Sequence, residues 1–521
     1  MKRIKNAILL LLIGAPMLIM VSGCKKFLDR KPLTATFDDL HQGGLETQVF
    51  GLYSTLRGYG GFSTLPWIDF NSIRDDDAEK GSNLSDGAEI NTEFETFQYT
   101  KDDWATDTYW NDHFYMIGLA NKILHDADSL KVTDDASLRN VGEARFFRAY
   151  SFFELVKAYG DVPLLNFYSS NAADNIKPKA PVDDIYAQID SDLNLATKYL
   201  PLNWESAGTN RYPGRLTSGA AKSLWAQTYL QRKNWPQVVA LCQDVISSGQ
   251  YSLVPNFQDI WKDGVGVYPA NGKDSKESIF EMQATIGSNG TSNYGTAWGT
   301  SQNVRKDDAG HPWNLGWGWN VPTQHLVDAW DAKDPRKNKT ILFSGQSDGG
   351  PTQGGYGATL PPYGASEKGD SIPRKYWNKK VYSDPAMRQF TGSPHGADWI
   401  NHRIIRYADV LLMLAEASNE TGDGATAEAM LEQVRARARG GDNTVLPHIA
   451  FAGQSLMRTA IKNERRWEFA MEGYRFNDLV RWGDAQAVLG ALGYQPRNAL
   501  YPIPQPAIDL SGGVLKQNPN Y

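Results

Sequence analysis

The chain has 521 residues, 53 of them basic and 59 acidic, so its formal net charge at neutral pH is −6. The first 23 residues carry three basic side chains and no acidic one, so the remainder is more acidic still. A surface of this sign lacks the basic field that phosphate binding needs, which argues against nucleic acid as a partner and against a polybasic grip on a membrane.

Residues 1–23 have the layout of a secretory signal peptide. A start with three basic residues is followed by an uncharged apolar run over 8–21, which is shorter than the ~20 residues of a membrane-spanning helix. The sequence VSGC at its end resembles the lipobox of bacterial lipoproteins and predicts lipidation of Cys24. An ordinary signal peptide with a chance cysteine is the alternative. Lipidation would leave Cys242 as the other cysteine, so no disulfide within the chain is expected.

Residues 24–251 form the first predicted region of the mature chain, and its pattern is helical. Between Glu143 and Gly160, apolar side chains recur at steps of three and four residues, which predicts a helix with one broad buried face. The side chains of this face are Phe146, Ala149, Tyr150, Phe153 and Val156. Helical patterns return over residues 401–521, which form the last predicted region.

An internal repeat links the two helical regions. Shifting AQTYLQRKNWPQVVALCQDVI by 189 positions aligns it without a gap on AEASNETGDGATAEAMLEQVR, with Ala226 on Ala415 and Val245 on Val434. Each copy reads as an antiparallel helix pair and resembles the tetratricopeptide unit. The predicted fold is therefore mostly α: a tetratricopeptide-like helical scaffold with an embedded loop-rich region of short strands. Plain helical packing without true repeats is the alternative.

Residues 252–400 have a different character, with many glycines and prolines and only short strand-like runs such as ESIFEMQAT and KTILF. The segment is also rich in tryptophan, which disordered segments usually lack. We therefore expect ordered loops that are carried on the helical scaffold and bind the ligand.

Tryptophans in these loops are the candidate ligand-binding residues. Trp317 and Trp319 flank Gly318, and in an extended chain that spacing sends both indoles to one side. Trp298 comes from another glycine-rich loop. The remaining candidates are Trp313, Trp67 and, as partners for sugar hydroxyls, Asp76 and Arg305. Burial of these indoles in the core is the alternative, and Trp330, inside a helical pattern, is assigned to the core.

The sequence carries no recognisable catalytic or metal-binding signature. GQSDG at 345–349 has the spacing of a serine-hydrolase elbow, but glycine-rich sequence follows it where a helix is required. The acidic run at 75–79 lacks the glycine position and the final glutamate of an EF-hand, so we read it as a solvated loop. We predict no catalytic residue, no metal and no cofactor. Paired carboxylates of a glycoside hydrolase stay open, because only their spatial separation identifies them.

The segment ERRWEFAMEGYRFNDLVRWG mixes charged side chains with large aromatic residues. Its charged members include Arg465, Arg466, Glu468, Glu472 and Arg475. Such a mixture favours charge-assisted bonds within the protein, so we assign these residues a structural role.

Five ordered segments resemble the SusD/RagB family of surface lipoproteins. They are CKKFLDRKP, EARFFRAYSFFELVKAYGDVPLL, IIRYADVLLMLAEASNE with LEQVRARA, IKNERRWEFAMEGYRFNDLVRWG and LYPIPQPAIDLSGGVLKQNPNY. Together they span essentially the whole mature chain.

The resemblance implies a lipid-anchored protein of the outer membrane that faces the cell surface and is not an enzyme. It implies an oligosaccharide ligand and a SusC-type TonB-dependent transporter as partner, on which the protein sits as a lid. A peptide ligand, as in the RagB branch, and a surface glycoside hydrolase are the alternatives. A pure scaffold for other proteins is a third possibility.

Overall fold

The structure is a computed structural model, and it describes residues 44–521 except 59, 84, 205–213, 264–271, 287–292, 307, 309, 365–368 and 388–398. The predicted signal peptide and Cys24 lie outside the described residues. Contacts between Cα atoms group residues 48–521 into one compact unit. Within the described ranges, none of the helices combines the length and the apolar character needed to cross a bilayer.

The protein is mainly α-helical, as predicted. Its principal helices are α1 (Leu45–Leu56), α2 (Leu65–Asn71), α3 (Trp104–Leu130), α4 (Asp135–Tyr159), α5 (Val182–Tyr199), α6 (Ser218–Gln231), α7 (Trp235–Ser247), α8 (Ala297–Gln302), α9 (Gln324–Ala329), α10 (Tyr407–Glu420), α11 (Gly424–Arg439), α12 (Gln454–Phe469), α13 (Arg475–Trp482), α14 (Ala485–Leu489) and α15 (Gln505–Leu510). Shorter helical turns cover Ala88–Ile90, Asn91–Glu95, Ala172–Asn175, Phe257–Trp261, Lys337–Thr340, Pro351–Gln353, Lys379–Val381, Pro385–Met387, Gly490–Leu492 and Pro496–Ala499.

The helices stack in the manner of a solenoid. From α3 to α7 each helix packs against the next in the chain, and α7 then packs against α10, which pairs with α11. The two copies of the predicted repeat are therefore the pairs α6/α7 and α10/α11, and they are neighbours in space. Ala226 and Ala415, which the repeat aligns, are both fully buried, so the small side chains serve close helix packing.

Helix α4 has the broad buried apolar face that its sequence predicts. The side chain of Asp134 caps its first turn by accepting a hydrogen bond from the Ser137 N–H, and the helix ends at Gly160, whose φ is +73°. All five predicted side chains are buried. Phe146 packs edge to face on Phe280, a strand residue of the loop-rich region, with ring centroids 5.1 Å apart. The loop-rich region is thus joined to the helical stack through the core.

The described strands form small antiparallel pairs. They are β1 (Ala78–Gly81), β2 (Ser278–Met282), β3 (Thr285–Ile286), β4 (Asn293–Tyr294), β5 (Trp319–Pro322), β6 (Ile341–Phe343), β7 (Tyr376–Asn378) and β8 (His402–Arg406). The pairs are β1 with β5, β2 with β8, β3 with β4 and β6 with β7. Strands β2 and β6 confirm the two strand-like runs, ESIFEMQAT and KTILF, that the sequence analysis identifies. In the first pair Ala78 lies opposite Pro322 and Gly81 opposite Trp319, which fixes an N-terminal loop against the glycine-rich loops.

A buried ionic network ties the C-terminal helices to the loop-rich region. Glu468 at the end of α12 accepts hydrogen bonds from the guanidinium groups of Arg336, Arg406 and Arg437, all within 3.1 Å. Glu472 pairs with Arg406 and with Lys380. These charged side chains are at least nine-tenths buried. The structural role predicted for this segment is confirmed, because its charges pair with one another and with neighbouring elements.

Candidate ligand-binding site

Two of the candidate tryptophans lie in a buried aromatic cluster. The indole of Trp298 stacks on the imidazole of His402, and the ring of Trp67 meets both edge to face with centroids 4.8 Å away. Trp298 is 5% exposed and Trp67 7%. The prediction of exposed indoles is wrong for both residues, because neighbouring parts of the protein leave less than a tenth of each residue exposed.

Trp319 and Trp313 are buried as well, again in contrast to the prediction. The argument for Trp319 assumed an extended chain at Gly318, but the φ of this glycine is +74°, in the left-handed region. Trp319 enters strand β5, where its ring lies against Gly87 and beneath the ammonium of Lys80. Trp313 belongs to a hydrophobic core that includes Trp377 and Ile372. Trp330 is buried beside Ile341, as predicted.

Asp76 also differs from its prediction, because Asp75, Asp76 and Asp77 are buried rather than solvated, and Asp76 and Asp77 are ion-paired. Its carboxylate accepts hydrogen bonds from Arg475 at 2.9 and 3.0 Å and from Arg466 at 3.2 Å. Burial by itself raises the pKa of Asp76, but the bonds and charges of the two arginines leave it below its usual value. Asp76 lines a cavity of about 720 Å³, together with Glu79, Glu95 and His325.

Asp76, Asp77 and His325 have the spacing of metal ligands within the described part of the chain. Their geometry fits ion pairing better. Arg466 donates to both oxygens of Asp77 and to Asp76, and it lies 3.3 Å from the His325 Nδ1. A bound cation would have to displace this guanidinium, so we assign no metal here.

Two candidates, Arg305 and Trp317, meet in a partly exposed site that we call the loop junction. It comprises Glu79, Ser82, Asp86, Arg305, Trp317 and Arg374, which come from three separate segments of the chain. One Nη atom of Arg305 donates to the Asp86 carboxylate and to the Ser82 hydroxyl, each at 2.5 Å, and it lies 3.5 Å from the Trp317 carbonyl oxygen. The Ser82 hydroxyl in turn donates to Asp86 at 2.7 Å.

Left-handed backbone positions allow the loops to approach each other closely. Gly81, Ser82 and Gly318 have φ values of +76°, +53° and +74°. The Ser82 N–H donates to the Gly318 carbonyl, and a Cβ on Gly81 would collide with the same oxygen. Arg374 donates to the Ser82 carbonyl at 2.6 Å and to that of Gly81. Glycine is therefore required where the loops cross.

The loop junction offers the groups that a sugar needs. The indole of Trp317 is partly exposed, and a flat aromatic face suits the C–H face of a sugar ring. The Arg305 guanidinium donates hydrogen bonds and the Asp86 carboxylate accepts them, so neighbouring hydroxyl groups can be bound together. Arg305 and Trp317 stay predictions of the sequence, which singled out neither Ser82 nor Arg374. The one signal for them is the pair of glycines that permits the loop crossing.

Two family models match the chain. One, described as the SusD family, matches residues 276–499. The other, described as "Starch-binding associating with outer membrane", matches residues 69–230. The chain belongs to the SusD family. The matched ranges include Trp298 and His402 of the aromatic cluster, the charged segment of α12 and every residue of the loop junction.

Relatives of this SusD-family chain align over most of their own length. "SusD-like protein P2" of Formosa agariphila is 27% identical over 465 residues, which are 86% of this chain and 87% of the relative. A SusD-like protein of Bacteroides ovatus is 24% identical and covers 91% of this chain and 82% of its own.

Solved structures share the SusD-like fold. A "Laminarin binding SusD-like protein" is 27% identical, with a TM-score of 0.71, and the alignment covers 92% of this chain and 99% of that one. Surface glycan-binding protein A from Bacteroides fluxus is 24% identical, with a TM-score of 0.72 and coverage of 94% and 100%. Both names describe binding proteins, and the fold agrees with the tetratricopeptide-like scaffold that the sequence predicts.

Proposed function

We propose that this protein is a cell-surface glycan-binding lipoprotein that captures oligosaccharides and delivers them to a SusC-type TonB-dependent transporter in the outer membrane. Family membership supports the general role, since one matching family model is described as starch-binding and associated with the outer membrane. The name of the laminarin-binding relative supports a glycan ligand. The sequence VSGC, which ends at Cys24, supports the lipid anchor.

The loop junction is the observation that carries the binding proposal. Trp317 is partly exposed, and its backbone carbonyl lies 3.5 Å from the Arg305 guanidinium, which hydrogen-bonds to the Asp86 carboxylate. Pre-organised polar groups lose little conformational freedom on binding, which favours recognition of a flexible sugar chain. With one main stacking ring, we expect dissociation constants between micromolar and millimolar.

Calorimetry with a β-glucan and with a malto-oligosaccharide tests the glycan role. Trp317→Ala is expected to weaken binding several-fold or more while the melting temperature stays unchanged, because the ring is partly exposed. Trp104→Ala is the matched control, since Trp104 is 44% exposed at the start of α3, outside the loop junction. Equal affinities for both variants and the unaltered protein would remove the loop junction as the site.

The same incubations separate binding from hydrolysis and from peptide recognition. A binding protein returns the oligosaccharide unchanged, whereas a glycoside hydrolase releases shorter products with time. Binding of peptides in preference to every glycan tested would favour the RagB-like alternative.

The transporter partnership is tested by extraction of the outer membrane in mild detergent. We expect co-purification with a large β-barrel protein through an interface above ~2,000 Å², as in permanent assemblies. Repeated recovery of the protein as a lone monomer would contradict this part of the proposal.

A further inference from the structure

The two exposed ion pairs of the loop junction share one orientation. In the Arg305–Asp86 pair the guanidinium side chain is 18% exposed and the carboxylate side chain 40%. In the Arg374–Glu79 pair the values are 17% and 40%. In both pairs, therefore, the negative partner faces solvent and the positive partner lies behind it.

Two lysines close to the loop junction are also sheltered. The Lys80 ammonium donates to the carbonyl oxygens of Asn83 at 3.1 Å and Asp86 at 2.7 Å. The Lys306 ammonium donates to the carbonyls of Gly369 and Ser371, both at 2.8 Å. Both lysines are buried. These cations hold the loops together and are shielded from solvent.

We propose that the loop junction selects uncharged glycans and rejects acidic ones, with Asp86 and Glu79 as the specificity-determining residues. This inference rests on the proposed glycan-binding function and adds the substrate class. A neutral sugar offers hydroxyl hydrogens, which a carboxylate accepts directly. A uronate or sulfate group offers no hydrogen to Asp86 and meets like charge before it reaches Arg305, so discrimination comes from repulsion as well as from lost bonds.

The first experiment compares a neutral and an acidic oligosaccharide on the full-length protein in detergent. Calorimetry at pH 7.5 uses laminarin oligosaccharides and alginate oligosaccharides of equal length, in 20 mM and in 300 mM NaCl. We expect the laminarin affinity to change less than twofold with salt and the alginate affinity to be at least tenfold weaker in 20 mM NaCl, where repulsion is least screened.

Substitution of the outward carboxylates is the decisive experiment. Asp86→Asn keeps the shape of the side chain and uncovers the positive charge of Arg305. We expect its alginate affinity to rise about tenfold in 20 mM NaCl, and the gain to shrink in 300 mM NaCl. Glu79→Gln is a second variant with the same expected direction. Asp128→Asn removes one charge from an exposed turn of α3, outside the loop junction, and should change nothing.

The outcomes separate this inference from the function on which it rests. If the unaltered protein binds none of the laminarin, malto-oligosaccharide and alginate preparations, the proposed function fails, and the inference with it. If it binds alginate as tightly as laminarin or more tightly, glycan binding stands and the selectivity is overturned. If Asp86→Asn and Glu79→Gln both melt like the unaltered protein yet gain no alginate affinity, the role of the two carboxylates is overturned.

Discussion

The indole of Trp298 lies flat on the imidazole of His402, with ring centroids 3.6 Å apart and an interplanar angle of 11°. Strand β8 and helix α8 are joined by this contact, and Trp67 of α2 closes the cluster from the side. Burial, with the nearby charge of Arg403, lowers the pKa of His402 to about 3, so the imidazole is neutral at physiological pH. The cluster is therefore part of the hydrophobic core.

Trp298→Ala should destabilise the protein by ~3–5 kcal/mol, because it leaves a cavity between three packed elements. Chemical denaturation followed by intrinsic fluorescence measures the change. Trp317→Ala is the control within the same region, and we expect it to cost less than ~1 kcal/mol. Equal losses in the two variants would contradict the distinction between a core indole and a site indole.

Gly318→Ala should weaken glycan binding and also lower stability by more than ~1 kcal/mol. The new Cβ would lie 2.8 Å from the Arg305 Cβ and 2.9 Å from the Trp377 ring, at a backbone φ that alanine adopts only with strain. Gly483 has a similar φ of +82° but open space around it, so Gly483→Ala is the control that introduces backbone strain without a steric collision. A binding loss of the same size in both variants would show that the loop crossing is unimportant.

Glu468→Gln should destabilise the fold by ~3–5 kcal/mol, since it leaves buried guanidinium groups without their shared carboxylate. Glu420→Gln, which removes the partly exposed pair with Arg458, should cost only ~1 kcal/mol. Thermal or urea unfolding at pH 7 compares the two.

The Glu468 carboxylate also predicts that the folded protein loses stability in acid. Burial by itself raises the pKa of Glu468, but the surrounding guanidinium groups lower it from 4.5 to about 2. Its stabilising contribution is therefore complete above pH 4.5 and is lost as pH falls toward 2. Glu468→Gln should flatten this part of the pH–stability profile, and an unchanged slope would contradict the assignment.

Glu95 predicts the opposite dependence of folding stability on pH. Burial raises its pKa from 4.5 to about 7, so the folded state favours the protonated form, and this contribution is lost as pH rises from 4.5 to 7. Glu95→Gln keeps an oxygen that can accept the Lys80 N–H bond. We expect the variant to be more stable than the unaltered protein by roughly 1–3 kcal/mol at pH 8, with no advantage at pH 4.5. Urea unfolding at the two pH values tests this.

Cys24→Ala should release the protein from the outer membrane or leave it unprocessed. A lipobox cysteine carries the acyl chains that hold a protein at the bilayer, and alanine offers no thiol for them. Fractionation after labelling with a radioactive fatty acid gives the readout. Incorporation of label into the variant would show that another residue is modified.

The sequence determined the helical scaffold, because helix periodicity and caps are local properties of the chain. The face of α4, the repeated helix pairs and the structural role of the charges around Glu468 were all predicted from such local patterns. The repeated spacing of small residues was enough to identify α6/α7 and α10/α11 as equivalent units. Family membership likewise followed from ordered segments of the sequence.

Tertiary structure alone decided which aromatic and charged side chains are exposed. Trp298 and Trp317 have similar glycine-rich surroundings in the sequence, yet one stacks on His402, more than 100 positions away, and the other stays partly exposed. Asp76 and Asp86 belong to one acidic stretch, but Arg466 and Arg475 reach the first, whereas the second faces solvent beside Arg305. Burial depends on contacts between distant segments, and no local pattern encodes those contacts.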